Sequence, residues 1–194
     1  LLLVPYAALG GAAWGQPRFC SLLIWGSAIL LFALFRKIPR LRPYALLATA
    51  AYALGTPFLY SATQGTIWIL MHAEGNFFFF LALYGALAKR NWLWAGFCFV
   101  VALSCRLSIL FSFPVFVLLQ AEKKPFDRRL FFSLVPQLTK FCLGGLLPGV
   151  TTLVMNAIIT GSALRLPYST IFHEKFRLEQ PFGLQYFFPN LRFY

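Results

Sequence analysis

Charged residues are scarce in this sequence of 194 residues, and acidic ones are the scarcest. Asp and Glu number 5 against 17 Lys and Arg, and charged residues make up only 11% of the chain. Soluble domains carry about 25% charged residues, so an ordinary soluble fold is excluded. Hydrophobic residues make up 60%, and apolar runs of about 18 residues recur, each long enough to cross a hydrocarbon core about 30 Å thick. These features predict a polytopic helical membrane protein.

Sequence motifs typical of soluble enzymes are also missing. The chain contains no nucleophile elbow, no P-loop, no HExxH and no Gly-rich dinucleotide turn, which argues against the enzyme classes that these motifs identify. Its 4 cysteines are scattered, without a C-x-x-C pair and without a His at ligand spacing. We interpret them as small apolar residues of membrane helices and predict no metal-binding site.

The positive charge is concentrated in short clusters between the apolar runs. They are RKIPRLR at 36–42, KR at 89–90 and EKKPFDRR at 122–129. Under the positive-inside rule such clusters are typical of cytoplasmic loops. We therefore attribute the net charge of +12 to membrane topology and expect no nucleic-acid partner.

The chain begins with Leu inside an apolar run and stops without a closing element, so we expect it to be truncated at both ends. Residues 1–160 contain the apolar runs, and we predict about seven membrane segments there, the first one truncated. Residues 161–194 are polar and aromatic and are predicted to begin an extracytoplasmic or interfacial loop. The predicted fold class is all-α, a polytopic transmembrane helical bundle.

Arg106 interrupts an otherwise apolar run over residues 92–119. As a single helix this run would be about 42 Å long, longer than the membrane core unless the helix tilts. The alternative is a hairpin of two short helices with Arg106 near its tip. The hairpin places all three basic clusters on one side of the membrane, so the positive-inside rule favours it. Arg106 is then expected at or near the outer surface.

Two interpretations of Arg106 remain open at this point. It can be an interfacial residue that extends its charge to water and lipid headgroups. It can also bind a phosphate, because a guanidinium is a planar fork of donors that fits phosphate oxygens.

His72 and Glu74 are ionisable residues near the outer end of the predicted fourth membrane helix, which covers about residues 67–88. Such residues in apolar segments are candidates for function, although an interfacial pair facing headgroups is the alternative. They are two positions apart, so on a helix they point to different faces. Trp68 and His72, four apart, share a face. All three are candidates for lining a pocket.

Asn156 and Tyr168 are the remaining candidate pocket residues, in the stretch MNAIITGSALRLPY. Asn156 lies near a predicted helix end, where an Asn more often makes a hydrogen bond between helices than contacts a ligand. Gly161 and Ser162 are predicted to stop that helix.

Three motifs resemble GT-C membrane glycosyltransferases, in the branch that includes the protein O-mannosyltransferases. The first is YALGTPFLYSATQGT at 52–66. The second is W-x-x-A-G-x-x-x-x-x-A-x-x-x-R-x-S, which matches at Trp92, Ala95, Gly96, Ala102, Arg106 and Ser108. The third is similar to an N-x-x-x-F-G-S-P-x-x-x-G-Y step, matching at Asn156, Gly161, Ser162 and Tyr168. The resemblance covers residues 44–185.

The resemblance implies inverting transfer of a hexose, similar to mannose, on the extracytoplasmic face. The donor would be a polyprenyl-phosphate sugar, and the acceptor a lipid-linked glycan or a protein. Arg106 would bind the donor phosphate, and the catalytic acidic residue is expected upstream of residue 1. The resemblance is also compatible with a divalent metal as a cofactor. The expected location is the bacterial inner membrane, or the endoplasmic reticulum of a eukaryote.

Two other classes of function compete with a transferase. A secondary transporter or lipid flippase would place polar residues at mid-depth, on paired broken helices. A non-catalytic membrane scaffold is the third interpretation. An outer loop with an acidic residue after the first helix would favour the transferase.

Overall fold

The computed structural model describes residues 16–56, 60, 67–121 and 128–164. This part of the chain is helical and contains no strand, which confirms the all-α prediction. The α-helices are α1 (Gln16–Lys37), α2 (Ala45–Gly55), α3 (Ile67–Leu87), α4 (Trp92–Cys105), α5 (Phe113–Ala121) and α6 (Arg128–Thr160). Short 3₁₀ helices cover Arg42–Tyr44 and Leu107–Ser112. The predicted first membrane segment, which precedes residue 16, lies outside the described residues.

Within the described residues, three helices are long and apolar enough to cross a membrane: Arg18–Lys37, Ile69–Leu87 and Leu134–Thr160. Helices α2, α4 and α5 are shorter, with 11, 14 and 9 residues. At 1.5 Å per residue they extend about 17, 21 and 14 Å, less than the core thickness of about 30 Å. The figure of about seven membrane segments stays a prediction.

Helices α1 and α3 lie side by side and run in the same direction. Near their first residues, Cys20 and Leu23 share a buried cluster with Leu70. Near their last residues, Leu34 shares a second cluster with Phe80. The chain turns back between them through α2, which packs beside both.

Helices α3 and α4 are antiparallel. A Cβ placed on Gly85 would lie 3.1 Å from Cδ1 of Trp94, and one placed on Gly75 would lie 3.6 Å from Cβ of Cys105. The end of α3 therefore meets the start of α4, and the start of α3 meets the end of α4. The tight connection ends at Asn91, whose side-chain oxygen accepts a hydrogen bond from the Trp94 N–H at 3.0 Å and caps α4.

The chain breaks at Arg106, as the hairpin prediction requires. Helix α4 ends at Cys105, Arg106 is extended with φ −148° and ψ 112°, and the 3₁₀ helix Leu107–Ser112 follows. Helix α5 then folds back along α4, because the rings of Phe99 and Phe116 are 5.3 Å apart. The alternative of a single straight helix is wrong.

A cluster of aromatic rings holds the hairpin against its neighbours. Phe116 of α5 is only 1% exposed. Its ring lies 6.2 Å from the ring of Phe79 in α3 and 5.2 Å from that of Phe141 in α6. Edge-on and tilted ring pairs at such distances add about 0.5–1.5 kcal/mol each to the gain from burial. This cluster fixes the direction in which α5 returns.

Helices α4 and α6 approach each other with their backbones in contact. The Cα of Gly96 faces the carbonyl oxygen of Phe141, and the Cα of Gly144 faces that of Leu93, each where a Cβ would stand. Gly145 packs against the side chain of Val100 in the same crossing. Small residues allow this approach, which is typical of helix packing in membranes.

The chain divides into two compact units, Leu1–Gly149 and Val150–Tyr194. The second unit is described as far as residue 164 and contains the last turns of α6. Gly161 follows that helix with φ +75°, a conformation that glycine adopts without steric cost. The predicted helix stop at Gly161 is therefore confirmed.

Candidate functional site

Most of the exposed positive charge on α1, α3 and the turns after them lies at the end opposite Arg106, while Arg18 is at the start of α1. Six exposed cations lie at the ends of α1 and α3 or directly after them: Arg36, Lys37, Arg40, Arg42, Lys89 and Arg90. Because α1 and α3 run in the same direction, these residues meet at one end of the helices, here called the basic end. Helix α4 runs the other way and carries Arg106 toward the opposite end. Clusters 36–42 and 89–90 lie at the same end of the helices, as the predicted topology requires, whereas residues 122–127 lie outside the described part. That the clusters share one side of a membrane stays a prediction.

Arg106 is recessed from the end of α3 rather than placed at its tip. Its Cγ would lie 3.7 Å from a Cβ on Gly75, so the two residues are at the same level. With a rise of 1.5 Å per residue, Gly75 is about 9 Å from the Ile69 end of the apolar span and about 18 Å from its Leu87 end. Arg106 therefore lies in the half of the span remote from the basic end, below the outer limit of α3.

The backbone around Arg106 is held on both sides of the break. Its N–H donates to the carbonyl of Ala102 at 3.0 Å, and its carbonyl accepts from the N–H of Ile109 at 3.1 Å. The side chain is partly buried, and its Nε is fully enclosed. The cation thus starts from a fixed point and is partly removed from solvent, which strengthens its interaction with an anion.

Glu74 and His72 occupy different environments on α3. Glu74 is half-buried, and the thiol of Cys105 donates a weak hydrogen bond to its Oε2 at 3.8 Å. His72 is exposed and lies within electrostatic range of Arg106. Glu74 therefore contacts the end of α4, whereas the side chain of His72, two positions earlier, is exposed.

Apolar side chains stand exposed directly beyond Arg106. Leu107, Leu110 and Phe111 in the 3₁₀ helix are 57%, 50% and 87% exposed. A cation followed by an open apolar surface suits a molecule that joins an anionic headgroup to a hydrocarbon chain. Within the described ranges no group of three His, Cys, Asp or Glu side chains is placed to hold a metal ion.

The structure brings the other candidates together only in part. Trp68 is in the first turn of α3, but its side chain lies outside the described part, as does all of Tyr168. Asn156 belongs to the second unit, where its Nδ2 donates to the carbonyl of Ala163 at 3.4 Å and its carbonyl accepts from Oγ1 of Thr160 at 2.8 Å. Its side chain thus bonds to the chain just beyond its own helix, not to a neighbouring helix.

Sequence reasoning missed Gly75 and Cys105, which contact the Arg106 segment. A glycine inside an apolar helix often marks a close approach, so Gly75 carried a usable signal. Cys105 carried none, because a cysteine in such a helix is ordinarily a small apolar residue.

Comparison with known proteins finds no matching family model, no matching curated protein and no matching solved structure. The resemblance to GT-C transferases therefore depends on the sequence motifs alone. The functional argument has to proceed from the Arg106 segment and its surroundings.

Proposed function

We propose that this chain belongs to a multi-pass integral membrane glycosyltransferase of the GT-C type, which uses a polyprenyl-phosphate sugar as donor. The proposed acceptor is a lipid-linked glycan or a protein on the extracytoplasmic face. One observation carries the proposal: a partly buried arginine at a helix break, remote from the basic end and beside exposed apolar side chains. A polyprenyl phosphate has the matching chemistry, an anionic head on a hydrocarbon chain.

The proposed reaction needs a cation where Arg106 stands. An acceptor hydroxyl oxygen attacks C1 of the sugar, the bond from C1 to the phosphate oxygen breaks, and polyprenyl phosphate leaves with the bonding electrons. Negative charge therefore grows on the phosphate, and a fixed guanidinium stabilises it. The hydroxyl proton goes to a carboxylate, which the resemblance locates upstream of residue 1.

The lipid carrier also gives a reason for a cation in an apolar region. An arginine near the middle of a bilayer costs about 2.5–3.5 kcal/mol on insertion scales. A phosphate that binds it removes part of that cost, since paired charges are less costly than isolated ones. Glu74, which contacts the residue before Arg106, would line the headgroup pocket, and His72 stays a candidate on another face of α3.

The break at Arg106 also favours a second candidate, a secondary transporter or lipid flippase. Transporters bind substrate at broken helices near the bilayer midplane. Arg106 lies nearer one end of the α3 span than the other, which favours the transferase. The two differ in outcome: a transferase forms a new glycosidic bond, and a flippase moves an unchanged lipid.

The ligand class can be tested with the intact protein in nanodiscs. We expect undecaprenyl phosphate to bind at least about tenfold more tightly than undecaprenol, because only the former offers oxygens to the guanidinium. Inorganic phosphate should compete weakly, since it lacks the hydrocarbon chain. Equal binding of undecaprenyl phosphate and undecaprenol would show that the site does not recognise the phosphate. Equal binding of undecaprenyl phosphate and inorganic phosphate would show that it does not recognise the lipid chain.

Topology can be tested by labelling cysteine variants in intact cells with a membrane-impermeant maleimide. Ser108→Cys is near Arg106 and Arg40→Cys is at the basic end, and both native side chains are exposed. We expect labelling of the Ser108 variant above the parent protein in intact cells, and of the Arg40 variant only after permeabilisation. The reverse pattern, or labelling of both in intact cells, contradicts the proposed orientation.

A further inference from the structure

Gly75 is the point at which α3 meets the Arg106 segment. A Cβ placed on Gly75 would lie 3.1 Å from Cδ1 of Ile109, 3.6 Å from Cβ of Cys105 and 3.7 Å from Cγ of Arg106. These three residues come from the end of α4, the break itself and the following 3₁₀ helix. A side chain on α3 at this position would therefore meet every part of the hairpin tip.

The parts of the tip are linked to one another, so a displacement of one moves the others. The Ile109 N–H is bonded to the Arg106 carbonyl at 3.1 Å, and the Cys105 thiol is held by Glu74, the residue before Gly75. Glu74 and Gly75 together hold the hairpin tip against α3. Glu74 accepts the hydrogen bond from Cys105, and Gly75 leaves room for the tip because it has no side chain.

We propose that Gly75 is a positioning residue, which sets where the Arg106 guanidinium stands for the lipid phosphate. This inference rests on the proposed function, because it takes Arg106 as the phosphate-binding group. A side chain at position 75 would press on Ile109 first and then on Cys105 and Arg106, and would lift the tip away from α3. The guanidinium would then move away from the position at which it binds a phosphate held by the rest of the site.

Gly85 provides a matched control on the same two helices. A Cβ on Gly85 would also meet its nearest side-chain atom at 3.1 Å, here Cδ1 of Trp94, at the opposite end of the contact between α3 and α4. The same substitution at both positions changes helix propensity equally. Only the one at Gly75 displaces Arg106.

The test compares Gly75→Val with Gly85→Val in the intact protein, with undecaprenyl phosphate binding in nanodiscs as the readout. We expect Gly75→Val to weaken binding about tenfold to a hundredfold more than Gly85→Val, the range produced by misplacing a functional group by about 1 Å. Binding of undecaprenol should change equally in the two variants. Equal losses of undecaprenyl phosphate binding would overturn the inference.

Further variants separate positioning from general packing. In the Arg106→Ala background Gly75→Val should cause no additional loss of binding, whereas Gly85→Val should cost the same as in the native protein. If Gly75→Val does not fold, Gly75→Ala replaces it, and Ile109→Val, which deletes the atom at 3.1 Å, should restore its binding. Additive losses, or failure of that rescue, contradict the positioning role.

The failure of this inference can be distinguished from failure of the proposed function. If Arg106→Ala binds undecaprenyl phosphate like the native protein, the proposed function falls. If Arg106→Ala loses binding while Gly75→Val and Gly85→Val remain alike, the proposed function stands and only the role of Gly75 is wrong.

Discussion

Gly96→Ala is expected to prevent α4 and α6 from packing and to leave most of the protein aggregated or unfolded in detergent. The added methyl group would coincide with the carbonyl oxygen of Phe141. Backbone atoms cannot rotate away as a side chain does, so the two helices must separate. Overpacking costs about 3 kcal/mol or more when the surroundings cannot adjust, a large share of a total stability of about 5–15 kcal/mol.

Gly149→Ala is the matched control for this prediction. Gly149 lies on the same helix as Gly144, but a Cβ there would meet only Cγ1 of Val100, at the ordinary contact distance of 3.8 Å. We expect that variant to purify as a monodisperse species with nearly native thermal unfolding. Size-exclusion chromatography and thermal unfolding in detergent measure both. A Gly96→Ala protein as stable as the Gly149→Ala protein would contradict the close crossing of α4 and α6.

Arg106→Ala is expected to lower kcat/KM for a polyprenyl-phosphate sugar by about a hundredfold or more while the protein remains folded and inserted. In the proposed reaction the substitution removes the cation that stabilises the leaving phosphate, and loss of one such donor costs about 10²–10³ in rate. Arg106→Lys should recover part of the activity, because lysine keeps the charge but not the planar fork. Steady-state transfer of labelled sugar by the intact enzyme gives the values.

Arg40→Ala is the control for the charge change. It removes an exposed cation at the basic end, so it alters net charge equally without touching the Arg106 segment. We expect its kcat/KM to equal that of the native enzyme. Turnover by Arg106→Ala that matches the Arg40→Ala enzyme would exclude Arg106 from the donor site.

The positions of the helices could be predicted from sequence because each apolar run is bounded by a strong local signal. Asn91 at the start of α4, Gly161 after α6 and the charge of Arg106 are such signals. The hairpin followed from a global constraint, since the positive-inside rule disfavours basic clusters on both sides of one helix. These inferences needed no knowledge of which helix faces meet.

The packing could not be predicted because the apolar helices have no polar face to orient them. In the run of four Phe residues at 77–80, Phe80 is buried and the other three are only partly covered. All four are equally suited to lipid and to a protein core, so periodicity gives no assignment. The contacts of Gly75 and Gly96 depend on the same undetermined helix rotations.

The depth of Arg106 was also beyond sequence reasoning. The topology argument predicts a tip at or near the outer surface, and the structure adds that Arg106 is level with Gly75, about 9 Å along α3 from Ile69. The lengths of α4 and α5 determine this depth, and helix ends inside an apolar run carry no composition signal.

The shortness of α4 and α5 has a consequence for the surrounding lipid. They extend about 21 and 14 Å, less than the thickness of about 30 Å of a bilayer core. A bilayer adapts to a short apolar element by thinning around it. We therefore expect the bilayer to be thinner over Arg106, so that water and lipid headgroups reach the guanidinium. In that geometry the proposed carrier lipid would reach Arg106 by lateral diffusion within the thinned region, without leaving the membrane.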